Sequence, residues 1–194
     1  MPRKARRSVL YNGCFAHVYS RALEKRFIFR EAPDFIFFKE QLALSLRSKS
    51  FLIHHYCLMN THFHLLVSIE KLEDFSKQLK QLKETYVRYY HERYKKKGPV
   101  WWGRFGSQLI ESEKYLYACG LYIEMNPVEA GMVRTPEDWP FSSSAHYFCG
   151  EPESLISKYD QPSRATAEEL LDGLNVGRGS YIGTPLFLLN AGDI

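Results

Sequence analysis

The chain has 194 residues, 45% of them hydrophobic and 25% charged, which fits one folded domain with at most an appendage and excludes a disordered or fibrous protein. Four widely spaced cysteines (Cys14, Cys57, Cys119, Cys149) follow no CxxC or zinc-finger spacing. The formal charge of +4 is unevenly placed: residues 1–150 hold 23 basic against 15 acidic side chains, and residues 151–194 hold three against seven.

A reduced, soluble, cytoplasmic protein is expected. No apolar run approaches the ~20 residues that a membrane helix needs. The basic start Arg3–Arg7 is not followed by the apolar segment of an export signal. A basic body with an acidic end predicts a polyanionic partner, against the alternative that the lysines only solvate a helix.

In chain order, the β-branched and aromatic run 9–20 predicts a first strand. Asp34 can cap a helix from Phe35 to Arg47. Phe51–Met59 and His62–Ile69, separated by Asn60-Thr61, predict a β-hairpin. From Leu72 to Lys97 apolar positions recur every three or four residues, a long helix that Gly98-Pro99 should stop. Arg104–Ile110 reads as a fourth strand, and Glu113 to about Met125 as a helix ended by Pro127.

The order β-α-β-β-α-β-α predicts an α+β, ferredoxin-like sandwich: an antiparallel sheet with helices on one face. Residues 1–150 form the expected domain, and 151–194 an acidic C-terminal extension without an assigned role.

Two constellations carry candidate chemistry. On a strand, His62 and His64 leave the same face while Phe63, Leu65 and Val67 leave the other, so the pair can offer two nitrogens to one metal ion. By spacing alone they can equally be surface or core histidines. Cys57, across the hairpin from His64, opens a rival zinc reading that lacks a fourth ligand. On the later helix, Tyr122 and Asn126 are one turn apart on one face. Their bland alternatives are a core aromatic and a helix-ending asparagine.

The strand His62-Phe63-His64 resembles the HUH signature, two histidines around a bulky apolar residue. The segment Tyr122-Ile123-Glu124-Met125-Asn126-Pro127-Val128-Glu129-Ala130-Gly131 is similar to the tyrosine helix of single-tyrosine HUH transposases, and most similar to that of the REP-associated tyrosine transposases. His17-Val18-Tyr19-Ser20-Arg21, Met59-Asn60-Thr61, Val100-Trp101-Trp102-Gly103-Arg104-Phe105 and Asp138-Trp139-Pro140-Phe141-Ser142-Ser143 match in the family's order, covering about residues 8–147. Glu129 departs from the arginine often found there, and no motif covers 151–194.

The resemblance implies that His62, His64 and Asn126 hold one divalent ion, Mg²⁺ or Mn²⁺, with Tyr122 as nucleophile. Three neutral ligands leave the ion nearly its full charge. Imidazole would also accept Zn²⁺. The implied reaction cleaves and rejoins single-stranded, hairpin-bearing DNA such as a REP-like palindrome through a 5′-phosphotyrosine, without ATP. In keeping with that, no P-loop is present. DNA contacts are expected from Arg3, Lys4, Arg6, Arg7, Lys95, Lys96, Lys97, Trp101, Trp102 and Arg104, through phosphate attraction and base stacking. The protein would act as a monomer or homodimer. Alternatives are an HUH replication initiator or relaxase, and a domesticated hairpin-DNA-binding protein that no longer cleaves.

Overall fold

The structure is a computed structural model, and it describes residues 9–157. Its elements are β1 (Cys14–Arg21), α1 (Ala32–Leu46), β2 (Phe51–Met59), β3 (His62–Ile69), α2 (Leu72–Tyr94), β4 (Gly106–Ile110), α3 (Glu113–Glu129) and the short α4 (Ser144–Cys149). The first six follow the ferredoxin-like βαββαβ order. Their four strands form one antiparallel sheet in the order β2-β3-β1-β4.

The α+β class and antiparallel sheet are as expected, and the helices divide between the two faces. On one face Phe38 of α1 packs on Phe63, Phe75 of α2 on Phe51, and Tyr86 on Phe29 and Phe38. On the other, α3 lies over Cys57, Leu66 and Ile110 through Leu116, Cys119 and Ile123. Because strand side chains alternate, the face that carries His62 and His64 is the one under α3. The expected one-sided arrangement therefore describes α1 and α2, while the tyrosine helix covers the histidine face.

Local chemistry sets the boundaries. Asp34 sits inside the first turn of α1, where its carboxylate accepts from the backbone N–H groups of Arg30 (2.8 Å) and Glu31 (3.0 Å). Helix α2 stops at Lys95, before Gly98-Pro99, because Lys95 adopts a left-handed conformation (φ 50°) and its N–H caps the His91 carbonyl.

Pro127 does not end α3; the helix runs two residues past it. Proline removes the N–H that would have bonded the Ile123 carbonyl. The Asn126 side-chain amide substitutes, with Nδ2 donating to the carbonyls of Tyr122 (2.8 Å) and Ile123 (3.4 Å).

The chain after α3 borders β2. Leu58 N–H donates to Phe141 O (2.9 Å), Ser143 N–H to Tyr56 O (2.9 Å) and Ser157 N–H to Ile53 O (2.8 Å). Trp139 Nε1 donates to Leu58 O (2.9 Å), and Phe141 stacks on Phe35 of α1 at 4.0 Å. Glu153 accepts from Tyr56 Oη (2.6 Å) and Lys39 Nζ (2.8 Å), so the start of the acidic segment packs on the body. Among the described residues no helix is long and apolar enough to cross a membrane.

Candidate active site

Three imidazoles and two phenols gather between β1, β3 and α3. The register pairs His64 with Tyr19 and His62 with Arg21, so His17 and Tyr19 share the face of the histidine pair. The rings of His62 and His64 are 4.9 Å apart. The Tyr122 ring approaches His64 edge-on at 5.8 Å and His17 at 6.0 Å. Tyr19 lies 5.3 Å from His17 and 6.3 Å from His64. Its ring needs the missing side chain of Gly106, where a Cβ would sit 2.4 Å from it.

Each member of the pair has one nitrogen occupied. His62 Nδ1 lies 2.9 Å from Thr61 Oγ1, and His64 Nδ1 lies 2.9 Å from His17 Nε2. That leaves both Nε2 atoms without a hydrogen bond. Desolvation lowers His17 and His62 to about 4; burial, then the neighbouring His62 and His17, holds His64 well below the usual imidazole range. All three imidazoles are therefore neutral at pH 7, the state a metal ion requires.

The donor set fits a divalent ion. With Nδ2 of Asn126 bonded to carbonyls of its own helix, Oδ1 is the amide atom that would serve as a ligand. Among the described residues no group of three or more His, Cys, Asp or Glu side chains is placed to hold a metal ion, so a site here would have to draw on an amide oxygen or water besides the histidine pair. Cys57 does lie opposite His64, but its sulfur contacts Met59 Sδ at 3.6 Å and burial raises its thiol well above the usual range.

Desolvation, then the nearby Glu129 carboxylate, push the Tyr122 phenol up to about 12, while a contact with Asn126 works the other way. Glu129 is an exposed residue, yet partial desolvation of its carboxyl raises it to about 7. Because α3 continues through Pro127, Tyr122, Asn126 and Glu129 occupy positions i, i+4 and i+7 of one stripe. In the sequence Glu129 stands out only as a departure from arginine, and reading Pro127 as a stop hides that it shares a helical stripe with Tyr122. Tyr115 is exposed, one turn into α3 from its Ser112 cap.

Buried contacts hold α3 against the sheet. His55 Nδ1 donates to Glu124 Oε1 (2.8 Å), and Ser143 Oγ donates to the same oxygen (3.0 Å). A Cβ on Gly120 would lie 2.6 Å from His55 Nε2, so a glycine lets the helix approach β2 there.

The two tryptophans separate. Trp101 is core, with its ring against Phe29, Phe38, Phe63 and Tyr86 and its Nε1 donating to Lys83 O at 3.2 Å. Trp102 is 56% exposed, and the Arg21 guanidinium lies 5.4 Å from its ring centre. Arg104 and Lys95–Lys97 are exposed. Lys83, within the basic stretch, is buried and donates to Gly103 O (2.9 Å), a structural role. Arg3, Lys4, Arg6 and Arg7 lie outside the described residues.

Residues 10–126 match the family described as "Transposase IS200 like". The chain belongs to that family. Among solved structures it is similar to a REP-associated tyrosine transposase bound to a REP hairpin, with TM-score 0.63 and 18% identity over 83% of this chain and 100% of that one. A candidate transposase from Deinococcus radiodurans R1 is similar at TM-score 0.41 and 17% identity, over 64% of this chain and 96% of that one. No curated protein sequence matches the chain. The fold and family expected from the motifs are thus borne out.

Proposed function

We propose that this transposase cleaves and rejoins single-stranded DNA beside a hairpin, with Tyr122 as the nucleophile. The observation that carries the reading is the approach of the Tyr122 ring to within 5.8 Å of His64, whose Nε2 is unbonded. A divalent ion held by His62, His64 and Asn126, Mg²⁺ or Mn²⁺, would polarise the scissile phosphate as a Lewis acid. The Tyr122 oxygen attacks phosphorus, the bond to the 3′ oxygen breaks, and a 3′-hydroxyl leaves. The product is a 5′-phosphotyrosine whose bond energy allows another 3′-hydroxyl to rejoin the strand.

At about 12 the phenol needs a proton acceptor at neutral pH. Glu129, two turns further along the same helical stripe with a carboxyl near 7, would take the phenol's proton through an intervening water and return it in the reverse step. Hairpin DNA as partner is drawn from the REP-associated relative, bound in its structure to a REP hairpin. Arg21 and Trp102 present a cation and an aromatic face beside His62, suited to a phosphate and an unpaired base.

The test is incubation with single-stranded hairpin DNA and Mn²⁺, followed by denaturing electrophoresis. Wild-type protein should give a covalent adduct that maps to Tyr122. Tyr122→Phe should bind DNA without adduct, and His62→Ala or His64→Ala should keep the fold and lose cleavage. A nucleotide on Tyr115 or Tyr117 would refute the assignment. Hairpin binding with no wild-type adduct would favour the non-cleaving DNA-binding alternative.

A further inference from the structure

His17 is 1% exposed, and its Nδ1 is buried with no hydrogen-bond partner. An unpaired buried polar atom carries its full desolvation cost. The ring lies among Tyr19, His64 and Tyr122, where a phenylalanine would pack without that cost. The other nitrogen, Nε2, makes one bond, 2.9 Å to His64 Nδ1. The two rings are 5.1 Å apart with their planes 21° from parallel. Two imidazoles joined end to end through one N–H···N bond have that geometry, whereas face-to-face stacking would bring the centres closer. The bond to His64 is thus the polar return for burying this side chain.

One proton is shared across that bond, and its position decides what His64 can do. If His64 Nδ1–H donates to His17 Nε2, the His64 Nε2 carries a lone pair. In the reverse tautomer Nε2 carries the proton and cannot bind a cation. His62 has the matching arrangement, with Nδ1 against the Thr61 hydroxyl.

We infer that His17 is a positioning residue that accepts a hydrogen bond from His64 Nδ1–H and so holds the His64 Nε2 lone pair ready for a metal ion. The inference rests on the proposed metal role of His64, and it adds a buried third imidazole that does not itself touch the ion. Loss of such an orienting partner weakens metal binding by about 10–100-fold.

Two substitutions separate orientation from packing. His17→Phe keeps the ring and removes the acceptor, while His17→Gln keeps an acceptor. Mn²⁺ affinity, measured by titration calorimetry without DNA, should fall about 10–100-fold in His17→Phe and stay within a few-fold of wild type in His17→Gln. The melting temperature of His17→Phe should stay close to that of the wild type, because one unpaired buried nitrogen, His17 Nδ1, is exchanged for another, His64 Nδ1. Nitrogen-15 spectra of the metal-free wild type should show His64 protonated at Nδ1.

Unchanged Mn²⁺ affinity in His17→Phe, with wild-type binding lost in His64→Ala, would overturn the inference and leave the metal site standing. Absence of Mn²⁺ binding by the wild type would instead fail the metal reading, and the His64 tautomer then decides the hydrogen bond alone. If His17→Phe does not fold, the same tautomer measurement on the wild type decides. Protonation at Nε2 overturns the inference in either case.

Discussion

As the proposed nucleophile, Tyr122 must pass on its proton, and Glu129 stands two turns away on the same stripe of α3, where its charge helps to raise the phenol. Glu129→Gln should slow adduct formation by about 10²–10⁴-fold. In the wild type the rate should rise as pH passes about 7 and Glu129 loses its proton. A pH–rate profile of single-turnover cleavage checks this, since Glu129→Gln should lose that rise. The histidines give a second pH dependence, on stability. His17 and His62 fall from 6.5 to about 4 on folding, so the unfolded chain binds more protons between those values. Their contribution is complete above pH 6.5 and is lost as pH falls toward 4. Melting temperatures should drop over that window, and His17→Phe should flatten the drop. His62 and His64 are legible in the sequence because strand alternation alone puts them together. His17 is visible there only as part of a motif, since its bond to His64 depends on strand pairing 47 residues apart.

Helix α3 delivers Tyr122 to the histidines because its seat is polar as well as apolar. His55 and Ser143 both donate to the buried Glu124, and Gly120 lets the helix backbone lie close over His55. Gly120→Ala places a methyl group 2.6 Å from His55 Nε2, so ring or helix must move. Alanine gains up to about 1 kcal/mol of helix propensity over glycine, but overpacking costs about 1–3 kcal/mol. Chemical denaturation should show a net loss of stability, and adduct formation should fall because Tyr122 shifts with the helix. A stability equal to or above wild type would mean that the close approach does not seat α3. This seat is not legible in the sequence. The turn-rich segment Asp138–Ser144 gives no sign that it borders β2, and the hairpin periodicity does not say which sheet face a later helix covers. Pro127 reads as a stop because the sequence does not show that the Asn126 amide takes over its missing hydrogen bond.

Across the whole molecule, charge and topology together specify which basic residues can serve the site. Helix α2 lies on the sheet face opposite Tyr122, and two of its lysines are engaged locally, Lys77 with Asp74 (3.4 Å) and Lys80 with Glu84 (3.7 Å). Lys95, Lys96 and Lys97 come after the helix. The chain beyond them is tied to the end of β1 by Leu23 N–H to Val100 O (2.8 Å) and Trp102 N–H to Arg21 O (2.9 Å). Arg21 is the cross-strand partner of His62, so this basic segment runs into the edge of the histidine site. On the proposed reading, a single strand entering that site would meet Lys95–Lys97, Arg104 and the Arg21–Trp102 pair, while Lys77 and Lys80 belong to the helix on the opposite sheet face. Removing one phosphate-binding cation should reduce the slope of log affinity against log salt by about 0.7 for single-stranded DNA. Neutralising Lys95, Lys96 and Lys97 together should therefore flatten the slope by up to about 2, with weaker binding at low salt. Neutralising Lys77 and Lys80 should leave it unchanged. Fluorescence anisotropy on a labelled hairpin across a salt series separates the two sets, and equal effects from both would show that DNA binding follows net charge rather than this path to the histidines.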